Sequence, residues 1–282
     1  MSDEARPVRD LLMVLSATGD RQPGERFVLD RDPLRLGRGT ANDVLLSSDC
    51  IARRHTHLER HGDTWWVVDG GSTNGTLVNG VMIPHRQALR SGDRITIGNV
   101  ILAYLHGDDV ETLYQDEVTR LSYFDPLTGV GNQHLLREAV EREIGLARQH
   151  RHDLCVALFD IDRFKRINDE HGHLVGDLVL RALARLLQAH LADAGILARH
   201  TGDSFALLMP ETTLEEAAAL CDDTRAMVAR HPFDLQGEIV SLTVSAGLGE
   251  LAPADDSSAS LLARAEANVH AAKAAGRNCL RR

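Results

Sequence analysis

The amino-acid sequence predicts a multidomain protein in which an N-terminal all-β sandwich is followed by a C-terminal α/β domain. The chain has 282 residues, enough for one large domain or two modest ones, since domains usually contain ~100–200 residues. Residues 10–106 alternate short apolar runs with turn residues, whereas residues 123–282 alternate helical and strand patterns. We therefore expect domains at 10–106 and 123–282, a flexible N-terminus at 1–9 and a helical linker at 107–122.

The first predicted domain consists of many short strands. Clusters of glycine, asparagine, aspartate and proline separate its apolar runs, which is typical of a β-sandwich. Asn79-Gly80 lies between two apolar pairs and predicts a tight hairpin, because both residues tolerate the positive φ of its turn. The expected strands are Leu11–Leu15, Arg26–Leu29, Leu34–Leu36, Asp43–Leu46, Thr56–Leu58, Trp65–Val68, Thr76–Val78, Arg94–Ile97 and Val100–Leu105.

The linker carries apolar residues at three- and four-residue steps. Val110, Tyr114, Val118 and Leu121 would form one face of a short amphipathic helix. Such a helix can bury this face against its copy in a second chain or against its own first domain. The sequence leaves both arrangements open.

The second predicted domain alternates strands and helices in a βαββαβ-like order, which is typical of a ferredoxin-like layer structure. Thr213 and Glu216 form a capping box that begins one helix, and Gly276 ends the last helix. The expected strands are Leu154–Phe159, Ile196–His200, Phe205–Met209 and Val240–Leu248, and helices are expected around 136–147, 179–187, 213–230 and 259–275.

Composition and charge exclude several classes of protein. Hydrophobic residues make up 43% of the chain and charged residues 26%, which excludes disordered and low-complexity proteins. The net charge of −10 argues against nucleic-acid and anionic-membrane partners, because neutralising phosphates requires clustered Lys and Arg. The 4 cysteines form no CxxC pair, and we find neither a signal peptide nor a membrane-spanning run. We therefore expect a cytoplasmic protein.

Ordered motifs in the first domain resemble those of the forkhead-associated (FHA) family. The motifs are Gly37-Arg38, Arg53-Arg54-His55, the run STNGT at 72–76 and Asn79-Gly80. The resemblance covers residues 10–106 and implies a β-sandwich whose loops bind phosphothreonine peptides. A phosphate requires arginine contacts and hydroxyl donors, and the peptide backbone requires an amide.

The FHA resemblance implies roles for individual loop residues. Arg38 would hold the phosphate, Arg53 and Thr73 would line the same site, and Asn74 would clamp the peptide. His55 would brace the loops from behind.

Position 52 departs from the FHA pattern, because Ala52 stands where the family has a serine. One charge-assisted hydrogen bond is therefore missing, at a cost of ~1.5–3 kcal/mol, which is roughly ten- to a hundredfold in affinity. Binding through Arg38 survives such a loss. The alternative is an FHA fold that contacts proteins without recognising phosphate.

Seven ordered motifs in residues 123–282 are similar to those of the GGDEF family. They include DPLTG at 125–129, FDIDRFKRIND at 159–169, Gly176-Asp177, RHTGDSF at 199–205 and GRN at 276–278. Active members are diguanylate cyclases, which join two GTP molecules into cyclic di-GMP across a dimer. The resemblance therefore implies GTP, Mg²⁺ and a homodimer.

Phosphoryl transfer requires a metal held by carboxylates and positive charge on the leaving pyrophosphate. Asp160 and Asp203 are the expected metal ligands, and family resemblance adds the carbonyl of Ile161. Lys273 and Arg277 are four residues apart, so we expect both to face one phosphate tail from the last helix. Resemblance implies that GTP is bound by Lys165, Asn168, Asp177, Gly202, Lys273 and Arg277, with Asn168 and Asp177 reading guanine.

The signature turn departs from the GGDEF pattern. Ser204 replaces the second acid and carries no charge for metal binding or proton transfer, so Asp203 is the one acid left in the turn. Losing one catalytic electrostatic group typically costs ~10²–10³ in rate. Thr201 replaces a glycine, and the family's product-inhibition motif is missing at Ala192 and Gly195.

These features favour a cyclic di-GMP-type, bacterial-type signalling protein whose degenerate GGDEF domain binds GTP or docks a partner. The alternative is an active diguanylate cyclase gated by the FHA domain. A third possibility is scaffolding without either ligand, against which the retained GTP-binding residues count. Ser204 separates the first two hypotheses, since a binding module tolerates it and a cyclase needs another acid.

Overall fold

The computed structural model describes residues 10–17, 21–107, 110–235, 238–253, 255 and 257–282. The expected flexible N-terminus, residues 1–9, lies outside this part of the chain. The chain divides into two compact units, Met1–Leu121 and Ser122–Arg282. Among the described residues, no helix has both the length and the apolar character needed to cross a membrane.

Two facing β-sheets form the first unit, as the sequence predicted. The strands are β1 Leu11–Ser16, β2 Arg26–Val28, β3 Leu34–Gly37, β4 Val44–Leu45, β5 Thr56–His61, β6 Thr64–Asp69, β7 Thr76–Val78, β8 Val81–Met82, β9 Arg86–Ala88, β10 Arg94–Ile97 and β11 Val100–Leu105. One sheet has the order β2-β1-β11-β10-β7-β8 and the other β4-β3-β5-β6-β9. Alternate apolar residues of both sheets, such as Leu12, Leu36 and Leu58, pack between them.

Strands β1 and β11 are buried on both faces, although only one face lies against the other sheet. On the outer face, Arg26, Met13, Ala103 and Arg94 form one row in register across β2, β1, β11 and β10. Met13 is 0% exposed and Ala103 is 2% exposed. Another element therefore covers this row.

Helix α1, Val110–Tyr123, lies across that outer row. The Arg26 guanidinium lies 3.2 Å from the centre of the Tyr114 ring. On the far side of the row, Arg94 Nη2 lies 2.8 Å from Glu117 Oε1. The linker helix therefore packs on its own first domain, which is one of the two arrangements that the sequence left open.

The second unit has the expected ferredoxin-like topology, with a sheet of order β13-β14-β12-β17-β18. The capping box is confirmed: Thr213 Oγ1 accepts from the amide of Glu216, whose carboxylate accepts from the amide of Thr213. The elements are α2 Gln133–His150, β12 Leu154–Ile161, α3 Phe164–His171, α4 His173–Leu191, β13 Ile196–Thr201, β14 Ser204–Pro210, α5 Leu214–Arg230, β15 Phe233–Leu235, β16 Glu238–Val240, β17 Val244–Glu250, α6 Ser258–Ala274 and β18 Leu280–Arg281.

Two sequence expectations about the second unit need correction. The strand expected over Val240–Leu248 is interrupted, because residues 241–243 belong to no strand. β16 therefore pairs with β15 in a separate hairpin, and β17 begins at Val244. The short elements α3, β15 and β18 of this unit were not expected from the sequence, and neither was β9 of the first unit.

Candidate functional site

Three loops at one end of the first unit carry the residues that the FHA resemblance selected. Arg38 follows β3, Arg53 precedes β5, and Thr73 and Asn74 lie between β6 and β7. The side chains of Arg38, Arg53 and Thr73 are exposed, and Asn74 is half-buried. The Arg38 amide donates to the carbonyl of Ala52 at 3.1 Å, which joins the first two loops.

Asn42 fixes the spacing of these loops and was not found from the sequence. Its Nδ2 donates to the carbonyls of Gly39 at 2.7 Å and Arg53 at 2.6 Å. A Cβ at Gly37 would lie 2.7 Å from the same Arg53 carbonyl, so the two loops approach too closely for any side chain there. The G-R-G motif is therefore a close backbone contact as well as a source of one arginine.

His55 braces the loops from behind, where the sequence predicted it. Its Nδ1 accepts from the Ala52 amide at 3.0 Å, and its Nε2 donates to the Gly75 carbonyl at 3.0 Å. Burial lowers the pKa of the His55 imidazole, which favours the neutral ring that these two bonds require. The Asn74 side chain ties the third loop to the carbonyl of Cys50 at 2.8 Å.

The arrangement can bind a phosphate from one side. Arg38 and Arg53 present guanidinium groups on loops that are fixed by Asn42 and His55, and guanidinium groups bind phosphate oxygens in a bidentate manner. Ala52 offers this surface a methyl group and a backbone carbonyl that already accepts from Arg38. The missing serine hydroxyl has no substitute at that position.

Asp160 lies near the end of β12, in register with Ser204 on one side and Ser245 on the other. Burial raises the pKa of the Asp160 carboxyl; nearby Lys273 opposes this shift and Asp203 adds to it. Lys273 Nζ lies 2.5 Å from Asp160 Oδ1. That oxygen is buried, and the Lys273 ammonium is its charged contact.

These residues fit a magnesium ion. The Ile161 amide donates to the Asp203 carbonyl at 3.3 Å, which ties the signature turn to the end of β12. Asp160, Asp203 and the Ile161 carbonyl supply only oxygen atoms, the donors that Mg²⁺ prefers. Within the described ranges, no group of three or more His, Cys, Asp or Glu side chains is placed to hold a metal; the donors expected from the sequence are two carboxylates and a carbonyl.

Asp162 organises this end of the sheet and was not singled out from the sequence. Its carboxylate accepts from the hydroxyls of Thr243 and Ser245, each at 2.6 Å, and from the amide of Asn278 at 3.0 Å. It therefore joins β12, β17 and the segment after α6. The only sequence signal was the second acid in the run Asp-Ile-Asp.

The proposed guanine-reading residues lie on α3 and α4. Asn168 Oδ1 is buried and has no partner among the described residues, and a Cβ at Gly176 would lie 1.9 Å from it. Burial raises the pKa of Asp177, while Arg181 and Arg199 oppose this shift. An amide and a carboxylate beside a glycine form a cradle that suits the donors and acceptors of a guanine edge.

Arg199 holds the signature turn and was not predicted as a site residue. Its Nε and Nη2 donate to the carbonyl of Gly202 at 2.8 and 2.6 Å, and its Nη1 donates to both oxygens of Asp125 at 3.2 and 3.1 Å. Gly202 itself has φ +42°. The turn is therefore anchored to the start of the domain, and Ser204 follows it in β14.

The expectation that Lys273 and Arg277 share a helix face is wrong. Helix α6 ends at Ala274, and Arg277 lies beyond it with φ +68°. Positive φ at Gly276 and Arg277 breaks the helical repeat, so the four-residue spacing no longer places the two residues on one helix face. Lys273 pairs with Asp160, whereas Arg277 lines a cavity of about 510 Å³ with residues of α3. Lys165 is exposed on α3.

Two family models match the chain. One, described as FHA domain, matches residues 34–98. The other, described as diguanylate cyclase, GGDEF domain, matches residues 122–279. Together they cover both sets of loops described above.

Curated relatives resemble the second unit. Diguanylate cyclase DgcP of Pseudomonas aeruginosa is 42% identical over 158 residues, which is 55% of this chain and 23% of the relative. Response regulator PleD of Caulobacter vibrioides is 33% identical over 167 residues, which is 58% of this chain and 37% of the relative. The chain thus spans less than two-fifths of either relative.

Solved structures resemble the same unit. The GGDEF domain of DgcB from Caulobacter crescentus, in complex with c-di-GMP, is 30% identical with a TM-score of 0.54, covering 56% of this chain and 92% of that one. Diguanylate cyclase SiaD of Pseudomonas aeruginosa, in complex with its activator SiaC, is 30% identical with a TM-score of 0.54, covering 61% and 67%.

Proposed function

Since the chain belongs to the diguanylate cyclase (GGDEF) family and carries an FHA domain, we propose that it is a signalling protein that binds GTP with Mg²⁺ and forms cyclic di-GMP slowly or not at all. Its FHA domain binds a phosphothreonine-containing protein. The observation that carries this proposal is that Ser204, which replaces the second acid of the signature, lies in register beside Asp160.

The second unit contains residues suited to the guanine, to the metal ion and to the phosphate tail of GTP. Asn168, whose Oδ1 occupies the space beside Gly176, and Asp177 hold the guanine, and Asp160 with Asp203 holds the metal. Lys273 supplies positive charge beside the metal ligands, and Lys165 and Arg277 extend it toward the phosphate tail. Bound Mg²⁺ would supply charge neutralisation on the phosphate oxygens.

The missing acid affects proton transfer. A ribose 3′-hydroxyl must lose a proton before it attacks a phosphate, and the neutral Ser204 hydroxyl is a poor base at pH 7. Asp203 would have to bind the metal and accept the proton. We expect a rate ~10²–10³ below that of a protein with both acids.

Active diguanylate cyclase is the second candidate. The 42% identity to a relative named diguanylate cyclase favours it. In this case, phosphoprotein binding at the FHA domain would bring two chains together, because joining two GTP molecules requires a homodimer. GTP is a cytoplasmic metabolite, so both candidates act in the cytoplasm.

Product formation and GTP binding, measured together, test the proposal. The full-length protein, Ser204→Glu and Asp203→Ala are incubated with GTP and Mg²⁺, and cyclic di-GMP is quantified by chromatography and mass detection. A fluorescent GTP analogue measures binding in parallel. We expect all three to bind nucleotide, with Asp203→Ala the weakest, and only Ser204→Glu to form product readily.

Two outcomes would contradict the proposal. Efficient product formation by the unmodified protein, lost in Asp203→Ala, would establish the cyclase and make Ser204 a tolerated variant. Failure of all three proteins to bind the GTP analogue would leave partner docking as the function of the second unit.

A further inference from the structure

A second basic cavity lies in the FHA domain, next to the phosphothreonine loops. It has a volume of about 430 Å³, and its lining includes Arg35, Arg54, His57, Asn42 and Gly70. None of the four residues assigned to phosphothreonine, Arg38, Arg53, Thr73 and Asn74, lines it. It is therefore separate from the site that the FHA resemblance implies.

No acidic side chain lines this cavity, although the chain as a whole has a net charge of −10. Arg35 and Arg54 are both exposed. Arg54 makes no ion pair or side-chain hydrogen bond with any described residue. Asp43, the carboxylate near Arg35, already accepts from Arg31 Nη1 at 2.8 Å and from the Arg35 amide at 2.9 Å. Two guanidinium groups thus face one cavity with their binding capacity largely unused.

The cavity is held rigidly against the phosphothreonine loops. Asn42, which lines it, bonds the carbonyls of Gly39 and Arg53 on the two phosphate-facing loops. Arg54 directly follows Arg53, so one of these consecutive residues lies at the phosphothreonine site and the other lines the second cavity. A ligand that occupied both would meet sites whose separation is already fixed, which lowers the entropic cost of binding.

The separation matches a short peptide. Arg35 lies in β3 and Arg38 directly follows the strand, three residues further on; at the 3.2–3.4 Å rise of a strand, their Cα atoms are at most about 10 Å apart. An extended peptide covers the same distance in about three residues. An anionic side chain two to four residues from a phosphothreonine at Arg38 therefore reaches the cavity.

We propose that this cavity is an accessory phosphate site that binds a second phosphorylated side chain, two to four residues from the phosphothreonine of the same partner. The inference rests on the proposed phosphothreonine binding by the FHA domain. Arg35 and Arg54 bind the second phosphate through their guanidinium groups. This second contact offsets the serine hydroxyl that Ala52 lacks.

Synthetic peptides test the accessory site on the full-length protein. Fluorescein-labelled alanine-serine peptides carry one central phosphothreonine and, three residues before or after it, a phosphothreonine, an aspartate or an alanine. Fluorescence anisotropy measures their affinities at 0.1 M salt. We expect one of the doubly phosphorylated peptides to bind at least tenfold more tightly than its alanine counterpart, with a smaller gain from aspartate.

Variants separate the two sites. Arg54→Gln and Arg35→Gln should remove the gain from the second phosphate and leave the affinity for the singly phosphorylated peptide unchanged. Arg38→Ala should abolish binding of all peptides. Arg60→Gln, on the same sheet but outside the cavity, is the charge-matched control and should keep the full gain.

The possible failures are distinguishable. If singly phosphorylated peptides bind and the second phosphate adds less than twofold at either position, the accessory site is wrong while the FHA function stands. If Arg54→Gln weakens both peptide classes equally, Arg54 belongs to the primary site and the accessory site is again wrong. If no phosphopeptide binds, the proposed FHA function itself fails. A gain from aspartate equal to that from phosphate would make this a site for acidic residues and overturn its assignment to phosphate.

Discussion

Gly176 and Asn168 face each other across the junction of α3 and α4. A Cβ at residue 176 would lie 1.9 Å from Asn168 Oδ1 and 3.3 Å from the Phe164 ring. No real Cβ makes a contact of 1.9 Å, so any larger residue must displace Asn168. The orientation of the Asn168 amide therefore depends on residue 176 being glycine.

We predict that Gly176→Ala weakens GTP binding at least tenfold, because Asn168 is displaced from the guanine cradle. Titration of a fluorescent GTP analogue measures this loss. Gly145→Ala is the matched control, since Gly145 lies in α2 and its added Cβ would meet nothing within 4 Å. That control should bind GTP normally and be more stable by about 0.5–1 kcal/mol. Equal affinities of the two variants would contradict the role of Asn168.

His55 makes the stability of the FHA domain depend on pH. Folding lowers its pKa from the ordinary value of 6.5, chiefly through burial. The unfolded chain therefore binds more protons near that pH. The stabilising contribution of the neutral ring is complete above 6.5 and is lost as the pH falls below it.

We predict that the native protein loses more stability than His55→Gln between pH 7.5 and pH 5.5, because glutamine keeps an acceptor and a donor but does not titrate. Urea unfolding followed by tryptophan fluorescence measures the difference. His85→Gln removes an exposed histidine of the same domain and should behave like the native protein. If the free energy of unfolding fell equally with pH in the native protein and in His55→Gln, His55 would not be the source of the pH dependence.

The functional residues that the sequence identified lie in short motifs, whereas those that it missed act through hydrogen bonds to distant residues. Arg38, Asp160 and Asp177 were recognised because they stand in short motifs. Asn42 and Arg199 act by bonding residues 11 and 74 positions away, and an isolated sequence carries no sign of such pairs. Arg277 was misplaced because four-residue helical spacing was applied beyond Gly276, the residue that the sequence itself marked as the end of the helix.

At the level of elements, α1 is the cover of an apolar sheet face. The row from Arg26 to Arg94 spans four strands, and α1 contacts its two ends through Tyr114 and Glu117. The ion pair of Glu117 is mostly sheltered, with exposures of 22% for Arg94 and 17% for Glu117. Such a pair contributes more than a fully exposed one, which is worth about 0–1 kcal/mol.

We predict that Glu117→Gln loosens α1, because Arg94 loses its charged partner. Hydrogen–deuterium exchange of residues 110–121 should accelerate about two- to fivefold, which corresponds to about 0.5–1 kcal/mol of lost protection. Arg120→Gln, an exposed position on the same helix, should leave the exchange unchanged. The same acceleration in both variants would mean that the Arg94 contact does not hold the helix.

Elements with strong local signals were predictable, and those created by distant contacts were not. The capping box at Thr213 located α5 closely, and Asn79-Gly80 located the β7–β8 hairpin. The break before Val244 lies where Asp162 accepts from the Thr243 hydroxyl, 81 residues away along the chain. Alternating apolar residues on both sides of that break gave no warning of it.

At the level of the whole molecule, each unit encloses its own core. Both tryptophans, Trp65 and Trp66, lie on β6 of the first unit. Helices α2–α6 lie in the second unit. Tryptophan fluorescence therefore follows the unfolding of the first unit, and far-ultraviolet circular dichroism at 222 nm is dominated by the second.

We predict that each ligand stabilises the unit that contains its residues. At 100 times its Kd, Mg²⁺–GTP contributes about 2.7 kcal/mol, so the circular-dichroism midpoint should rise by roughly 5–10 °C. A singly phosphorylated phosphothreonine peptide should raise the tryptophan midpoint. Mg²⁺–ATP is the control for the first ligand and should have little effect. A rise confined to the tryptophan midpoint with Mg²⁺–GTP would contradict the assignment of GTP to the second unit.

The anchoring of the signature turn by Arg199 has an evolutionary consequence. The path of the turn is set by Arg199 through Asp125, by the Gly202 carbonyl and by strand pairing, so its backbone does not depend on hydrogen bonds from the side chains of Thr201 and Ser204. Substitutions at these two positions can therefore leave the path of the turn unchanged. A lineage with this scaffold can thus lose its chemistry by a few substitutions and regain it the same way.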